Sequence, residues 1–420
     1  MDKHFILLGS GLSALGFLQK EKKENFLVFD KNNYPGGHAY SHKLNGYYFD
    51  EGAHISHSKN NTFLDFVGKN KIDDTLTFKS NICNFKKNKK IGYPIQFHLN
   101  DLHLNEKLQI FKDAFQKPEI KINNYHDWLI VNYGKYLTEK YYTPYTKKYW
   151  RCSPNEMSCD WVSGRLPKKN ILKTISSLVY KNTQNNMTYD LFRYPKNGGF
   201  FDLFKNKYSN FNINLNSKVT RINLKKKSII INDEKEYYYE KLISTIPILD
   251  YLYLIPDLSS EIKSNLKKLK HTKLIAFNFK IKKKKFFNFQ WCYFYDEDLE
   301  VSRMSILNNL NQKCNKDDFY IVQMEVFRRN DEKIDIDNIN QNVKEHLLNF
   351  FNINESDIFF EEKILIDKAY PIPLLNSENI RLHTINYLKQ YDIYQMGLYG
   401  KWKYMWSDQS FLDGLNYDYS

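Results

Sequence analysis

The sequence predicts an α/β protein in which a Rossmann-like, parallel-sheet domain is interrupted by an inserted helical region and an antiparallel β-sheet region. Three observations carry this. The apolar strand Phe5 to Leu8 runs into Gly9-Ser10-Gly11 and a helix from Ser13 to Lys23, and a second strand, Phe26 to Phe29, closes on Asp30, the order of a βαβ unit. Residues 101 to 190 read mostly as helix, with Asp127, Trp128, Tyr133 and Leu137 marking one amphipathic stretch. Strand patterns return after residue 190 and continue in a second block after residue 256, so two regions interleave along the chain.

The later elements follow from the same pattern reading. Val219 to Ile231 is strand, turn, strand, with Lys225 to Lys227 as the turn, and Tyr237 to Ile246 is a strand stopped by Pro247, since proline cannot donate to a ladder. Further strands are expected at Lys273 to Ile281, Trp291 to Tyr295, Val301 to Ile306, Phe319 to Phe327 and Ile358 to Ile366, with a helix near Val343 to Phe351. The nucleotide-binding domain is therefore expected from segments 1–80, 191–255 and 386–420. A helical cap at 81–190 and an antiparallel sheet at 256–385 are expected to form the substrate side.

A chain of 420 residues implies two or three packing units. Apolar residues make up 42%, with 32 Tyr and 30 Phe against only 16 Gly and 11 Pro, which excludes disordered and fibrous classes. The formal charge of +14 comes from 54 Lys and 8 Arg, with no arginine before Arg151. Lys86, Lys87, Lys89 and Lys90, then Lys225 to Lys227, then Lys282 to Lys285, sit between apolar runs as turns between strands do, and read as solvated loop lysines. No nucleic-acid module accompanies them, so nucleic acid is not expected, while peripheral contact with an acidic membrane surface stays open.

Cys83, Cys152, Cys159, Cys292 and Cys314 form no CxxC pair, so a reducing, cytoplasmic setting is expected. The apolar stretch Phe5 to Leu18 lacks a cleavage site, and Leu242 to Leu258 is broken by two prolines and two aspartates, so neither a secretory signal nor a membrane span is expected. A homodimer remains open.

Gly9-Ser10-Gly11-Leu12-Ser13-Ala14 is a GxGxxA turn between a strand and a helix. Gly9 permits the tight turn, Gly11 lets a pyrophosphate approach the backbone at the helix start, and Ala14 is small enough for helix-to-strand packing. Asp30, 21 residues after Gly9, stands where a carboxylate holds ribose hydroxyls. The other reading is a tight turn in an ordinary α/β fold. Tyr34-Pro35-Gly36-Gly37-His38 adds a glycine doublet, and Phe49 to His57 follows it. His38, His42, His54 and His57 have no metal-ligand spacing, so they are expected to line a cofactor cleft and no metal is expected.

The glycine doublet after the ribose carboxylate resembles FAD-binding flavoproteins of the amine-oxidase type and implies FAD as the cofactor. Gly-Ala-His-Ile-Ser-His at 52–57 is similar to a segment of the UDP-galactopyranose mutases. So are Tyr93-Pro94-Ile95, the Tyr133 to Leu137 stretch, Tyr145, Lys148, Trp150, Pro154, Arg165-Leu166-Pro167 and Gly397 to Tyr404. Tyr194 to Phe200 resembles both that group and protoporphyrinogen-oxidase-like flavoproteins. The resemblance covers nearly the whole chain in order.

It implies a flavoenzyme of the mutase-like group acting on a small molecule, a nucleotide-activated sugar used in cell-envelope polysaccharide synthesis. The alternative is an FAD-dependent oxidoreductase of the amine-oxidase or protoporphyrinogen-oxidase type. The cofactor set it implies is Gly9, Ser10, Gly11, Leu12 and Ser13, with Asp30 and Lys31. Gly36, Gly37, His38 and His54 extend this set, Val219 lies at the adenine end, and Gly397, Trp406 and Ser407 belong to the C-terminal motif. His54, His57, Arg303 and Tyr404 are the implied catalytic residues. Trp150, Lys169, Tyr370, Arg303 and Tyr404 would contact substrate. Two positions depart from the family pattern, Leu398 and Lys169 standing where arginines are expected, and both bear on phosphate recognition because only arginine grips a phosphate bidentately. Read without the resemblance, Arg303 can equally be a structural ion-pair former on its strand, Trp150 and Tyr370 core aromatics, and Tyr404 a residue packed on the last helix.

Overall fold

The computed structural model describes residues 3–21, 26–68, 75–116, 118–181, 190–311 and 318–419. Cys314 and the expected helix end at Lys23 lie outside them. Two seven-stranded sheets organise the chain. In the first, Lys3–Leu8 pairs in parallel with Phe26–Phe29 on one side and Lys235–Ser244 on the other. Ile6, Leu7 and Leu8 are all buried, because a central parallel strand is covered on both faces and needs an unbroken apolar run. Ile393–Gln395 also pairs in parallel with Lys235–Ser244, so three distant stretches of sequence build one sheet. The hairpin Val219–Asn223 and Ser228–Ile231 extends it through the expected lysine turn.

Helix Leu12–Lys20 follows the first strand and crosses the last helix, Ser407–Leu415. The two backbones touch: a Cβ on Gly16 would collide with the Phe411 carbonyl oxygen, and one on Gly414 with that of Ser13. This crossing fixes the C-terminal segment against the first turn of the chain.

The second sheet runs in the order Ile358–Pro371, His271–Lys282, Phe319–Arg329, Arg303–Ile306, Trp291–Phe294, Ile82–Lys86 and Lys89–Gly92. Its pairs are antiparallel except Trp291–Phe294 with Ile82–Lys86, which are parallel. The last two strands fall in the stretch expected to be helical. Cys83 and Phe85 are buried against this sheet, so burial claims the hairpin and the helical region begins only after it. Helix Ile336–Phe351 lays Ile339, Val343, Leu347 and Phe351 on one face of the sheet, at the spacing that keeps side chains on one helix stripe.

The helical region comprises Leu104–Phe115, Tyr125–Leu137, Thr143–Trp150 and Ile171–Val179. Gly134 interrupts the second of these, and the Asp113 side chain fills the space where its Cβ would sit. Asp113 Oδ2 accepts the Tyr136 N–H at 2.6 Å, which repairs the interrupted ladder. The last turn then delivers Tyr149 and Trp150 toward the sheet.

Candidate functional site

The glycine turn is built as the βαβ reading requires. Gly9 adopts φ +87°, a backbone that L side chains rarely adopt, and its N–H donates to the Phe29 carbonyl at 2.8 Å. A Cβ on Gly11 would meet nothing within 4 Å, so this position opens onto free space at the start of helix Leu12–Lys20, whose first N–H groups lack intrahelical partners. Gly36, at φ +112°, donates its N–H to Ser10 O at 2.9 Å. A Cβ on Gly37 would lie 3.3 Å from Gly11 Cα. The doublet therefore packs directly on the first turn.

Asp30 is held rigidly. Its Oδ2 accepts from Ser10 N–H at 2.8 Å and Ser10 Oγ at 2.6 Å, and its Oδ1 from Asn32 N–H at 2.9 Å. A carboxylate retains further lone pairs beyond these bonds, so Asp30 keeps acceptor capacity toward the cleft it lines. The C-terminal segment closes over the same turn: the Gly397 N–H donates to Asp413 Oδ2 at 2.9 Å, and a Cβ on Gly397 would strike the Ser13 side chain.

A single cleft of about 1290 Å³ joins these turns to the second sheet. Lys31 and Val219 line it beside Asp30, and Leu12, Ser13, His38 and Gly397 line it around the turns. Trp150, Arg303, Tyr370, Tyr404, Trp406 and Ser407 line it as well. The volume exceeds that of an ordinary small-ligand pocket, leaving room for a dinucleotide and a second molecule.

Three aromatic rings meet at the second-sheet end. Trp150 and Tyr404 have centroids 5.3 Å apart, Tyr370 and Tyr404 5.6 Å, and Trp150 and Tyr370 6.1 Å. Burial pushes the Tyr404 phenol up to about 12, with the Tyr370 ring hydroxyl adding to it, so it remains a hydrogen-bond donor at neutral pH. Arg303 lies buried on its strand and is clamped by Glu325, Nε to Oε1 at 2.8 Å and Nη2 to Oε2 at 2.6 Å. Burial alone would weaken its charge, and Glu325 more than restores it. The ion-pair reading and the cleft reading of Arg303 both hold, since it is paired and still faces the cavity.

The histidines are spent separately. His38 Nδ1 and His42 Nε2 both bond the Glu51 carboxylate, the latter at 3.0 Å. Burial would raise Glu51, but these two hydrogen bonds outweigh it and hold the carboxyl at about 2. His54 Nδ1 lies 3.1 Å from the Gly52 carbonyl and His57 Nδ1 3.1 Å from that of Leu191. Each therefore donates from Nδ1–H, and His54 leaves Nε2 as an acceptor. Burial lowers His54 to about 4, with the Arg303 charge acting in the same direction and the bond to Gly52 against it. It is neutral at pH 7. His57 lies at the cleft edge beside Trp406.

Lys169 is the expected substrate residue that the fold does not bring to the cleft. Its Nζ donates to the Gln116 carbonyl at 3.2 Å, because the chain after Pro167 turns toward helix Leu104–Phe115. Arg165 stands in the cleft instead. Its guanidinium lies 4.6 Å from the Tyr404 ring centre and 5.0 Å from that of Trp406, Nη1 donates to the Trp161 carbonyl and Nη2 to Gln409 Oε1, both at 2.8 Å, and its buried Nε has no acceptor among the described residues. Arg165 was visible as the arginine of Arg-Leu-Pro in a chain that uses lysine almost everywhere else. Tyr399, also missed, bonds the Ala369 carbonyl at 2.7 Å and ties the C-terminal turn to the second sheet. Leu398 lines the cleft.

Comparison with known proteins agrees with this architecture. Residues 8–69 match the NAD(P)-binding Rossmann-like domain. A crystal structure of reduced UDP-galactopyranose mutase superposes with a TM-score of 0.89 at 18% identity, covering 99% of this chain and 94% of that one. A protein assigned as a protoporphyrinogen oxidase from an Exiguobacterium species gives 0.75 at 12% identity over 99% and 97%. Putrescine oxidase bound to putrescine gives 0.63 at 11% identity over 99% and 98%. The chain has the flavoprotein fold that these three share.

Proposed function

We propose that this chain is an FAD-dependent enzyme acting on a nucleotide-linked sugar. The reading is carried by one observation: two arginines and three aromatic rings converge on the cleft whose other part is the paired glycine turn. The residues suit FAD. Gly11 leaves open the space a pyrophosphate needs, Gly36 and Gly37 pack a second loop beside it, and Asp30 is fixed with acceptor capacity for a ribose. Val219 and Lys31 would border the adenosine half, and His38, Gly397, Trp406 and Ser407 the flavin half.

When bound, FAD supplies a ring system that in its reduced form is electron-rich enough to attack an anomeric carbon. The protein's own groups do the rest. Arg303 and Arg165 hold the diphosphate, whose negative charge grows as the sugar bond breaks, and both sit preoriented in a partly desolvated site where a fixed cation stabilises most. Trp150, Tyr370 and Tyr404 offer flat apolar faces for a base or sugar ring. Neutral His54 presents Nε2 as an acceptor for a hydroxyl, and His57 lies at the rim.

A second reading has its own observation. Leu398 faces the cleft where the resemblance expects an arginine, which makes that wall apolar and suits an oxidisable amine or porphyrinogen. Anaerobic titration of the dithionite-reduced protein with UDP-, GDP- and dTDP-sugars separates the two. The sugar reading expects saturable binding of at least one of them that strengthens on reduction. Binding of none, with rapid bleaching of the oxidised flavin by an amine or porphyrinogen, favours the oxidoreductase.

A further inference from the structure

Helix Leu104–Phe115 carries an apolar stripe that nothing among the described residues covers. Leu104, Leu108, Phe111 and Phe115 recur at the four- and three-residue spacing of one helix stripe and are 71%, 50%, 45% and 57% exposed. The opposite side of this helix, with Ile110 and Ala114, is the one packed on the core. Helix Ile171–Val179 packs against it and exposes Leu172, Val179 and the following Tyr180. Apolar surface of this extent on two adjoining helices marks an interaction site rather than scattered exposure.

The exposed charges on these two helices have one sign. Lys112, Lys168, Lys173 and Lys181 are exposed on these two helices and their flanks. The two acids of the first helix are turned inward and used: Glu106 accepts Tyr141 OH at 2.6 Å, and Asp113 accepts the Tyr136 N–H at 2.6 Å. Helix Ile171–Val179 contains no acid. In the connecting stretch Glu119 and Lys121 offset each other. A second copy docked on this face by a two-fold axis would bring the same lysines together. An anionic bilayer neutralises them while taking up the Leu and Phe side chains, the arrangement of an interfacial amphipathic helix.

We infer that this face docks the protein peripherally on an anionic lipid bilayer, with helix Leu104–Phe115 lying in the interface. The segment joining the two surfaces runs from Trp161 and Arg165 in the cleft to Ile171 and Leu172 on the docking face.

The test is vesicle flotation of the full-length protein with phosphatidylcholine alone and with phosphatidylcholine containing phosphatidylglycerol. Binding is expected only to the anionic vesicles, weakening as salt is added. The pair Lys112→Glu and Lys173→Glu should reduce it about tenfold or more, at roughly 1 kcal/mol per charge removed. The pair Leu108→Ser and Phe111→Ser should abolish it, with an unchanged thermal melt showing that both variants fold. Absence of binding to anionic vesicles, or equal binding by either folded variant, overturns the inference. So does concentration-dependent dimerisation that the Leu108→Ser, Phe111→Ser pair removes while vesicle binding is absent.

Discussion

Arg303 and Glu325 form a two-point ion pair across adjacent strands, and Glu325 Oε1 also accepts the Ala53 N–H at 2.9 Å. One carboxylate thus fixes a cleft arginine and the backbone between Gly52 and His54. Glu325 is fully buried, so neither partner can be left alone cheaply.

Glu325→Ala should cost about 3–5 kcal/mol in urea unfolding, the usual penalty for orphaning a buried charge. Replacing both residues by apolar ones of similar size, Arg303→Met with Glu325→Leu, should recover most of that stability yet still lose nucleotide-sugar binding. A double variant that binds normally would show that Arg303 is structural alone.

Substitutions at two neighbouring glycines should separate cofactor binding from folding. Gly11→Asp places a carboxylate where the cleft is open, so the protein should fold with near-normal circular dichroism and lose its flavin. Gly16→Ala drives a methyl group into the Phe411 carbonyl and the Leu415 N–H across the helix crossing and should lower the melting temperature by several degrees, since overpacking costs about 1–3 kcal/mol. The ratio of flavin absorbance to protein checks the first, a thermal melt the second.

Arg165→Ala should weaken nucleotide-sugar binding by about 10- to 100-fold, the worth of one or two charge-assisted hydrogen bonds. Lys169→Ala should leave it within about twofold, because this half-buried lysine is bonded to the Gln116 carbonyl and does not line the cleft. Fluorescence titration of the reduced protein with the sugar that binds measures both.

Acidification should destabilise the fold in two windows. His54 has a folded value of about 4 against an ordinary 6.5, so below pH 6.5 the unfolded chain takes up a proton that the folded chain refuses, and stability falls until about pH 4. The loss from this group is less than about 3 kcal/mol, because water reaches part of the cleft. Glu51, held at about 2, adds stability that is present above its ordinary 4.5 and is lost as pH falls toward 2. In thermal melts from pH 7 to 4, His54→Gln should flatten the upper window. An unchanged slope would remove His54 from the account.

What sequence could show was what local chemistry decides. The strand, Gly9-Ser10-Gly11 turn, helix and Asp30 lie within one short stretch, and each is fixed by its neighbours. The long strands His271–Lys282 and Phe319–Arg329 were legible because burial on a sheet leaves a nearly continuous apolar signature. Of the Ile82–Gly92 hairpin only the lysine turn was legible, since its short strands gain their place only from pairing with Trp291–Phe294 far along the chain. Lys169 and Arg165 illustrate the limit at the site. They flank one Pro167, and which of them faces the cleft depends on how that turn docks on helix Leu104–Phe115, a tertiary contact with no local signature.

The absorption spectrum of the purified protein, with the mass of whatever acid or heat releases from it, decides whether the glycine turns hold a flavin. The glycine turns, Asp30 and the C-terminal segment predict a yellow protein with near-stoichiometric FAD and a flavin spectrum that bleaches on dithionite. A colourless protein that takes up no FAD when the cofactor is added would contradict the account.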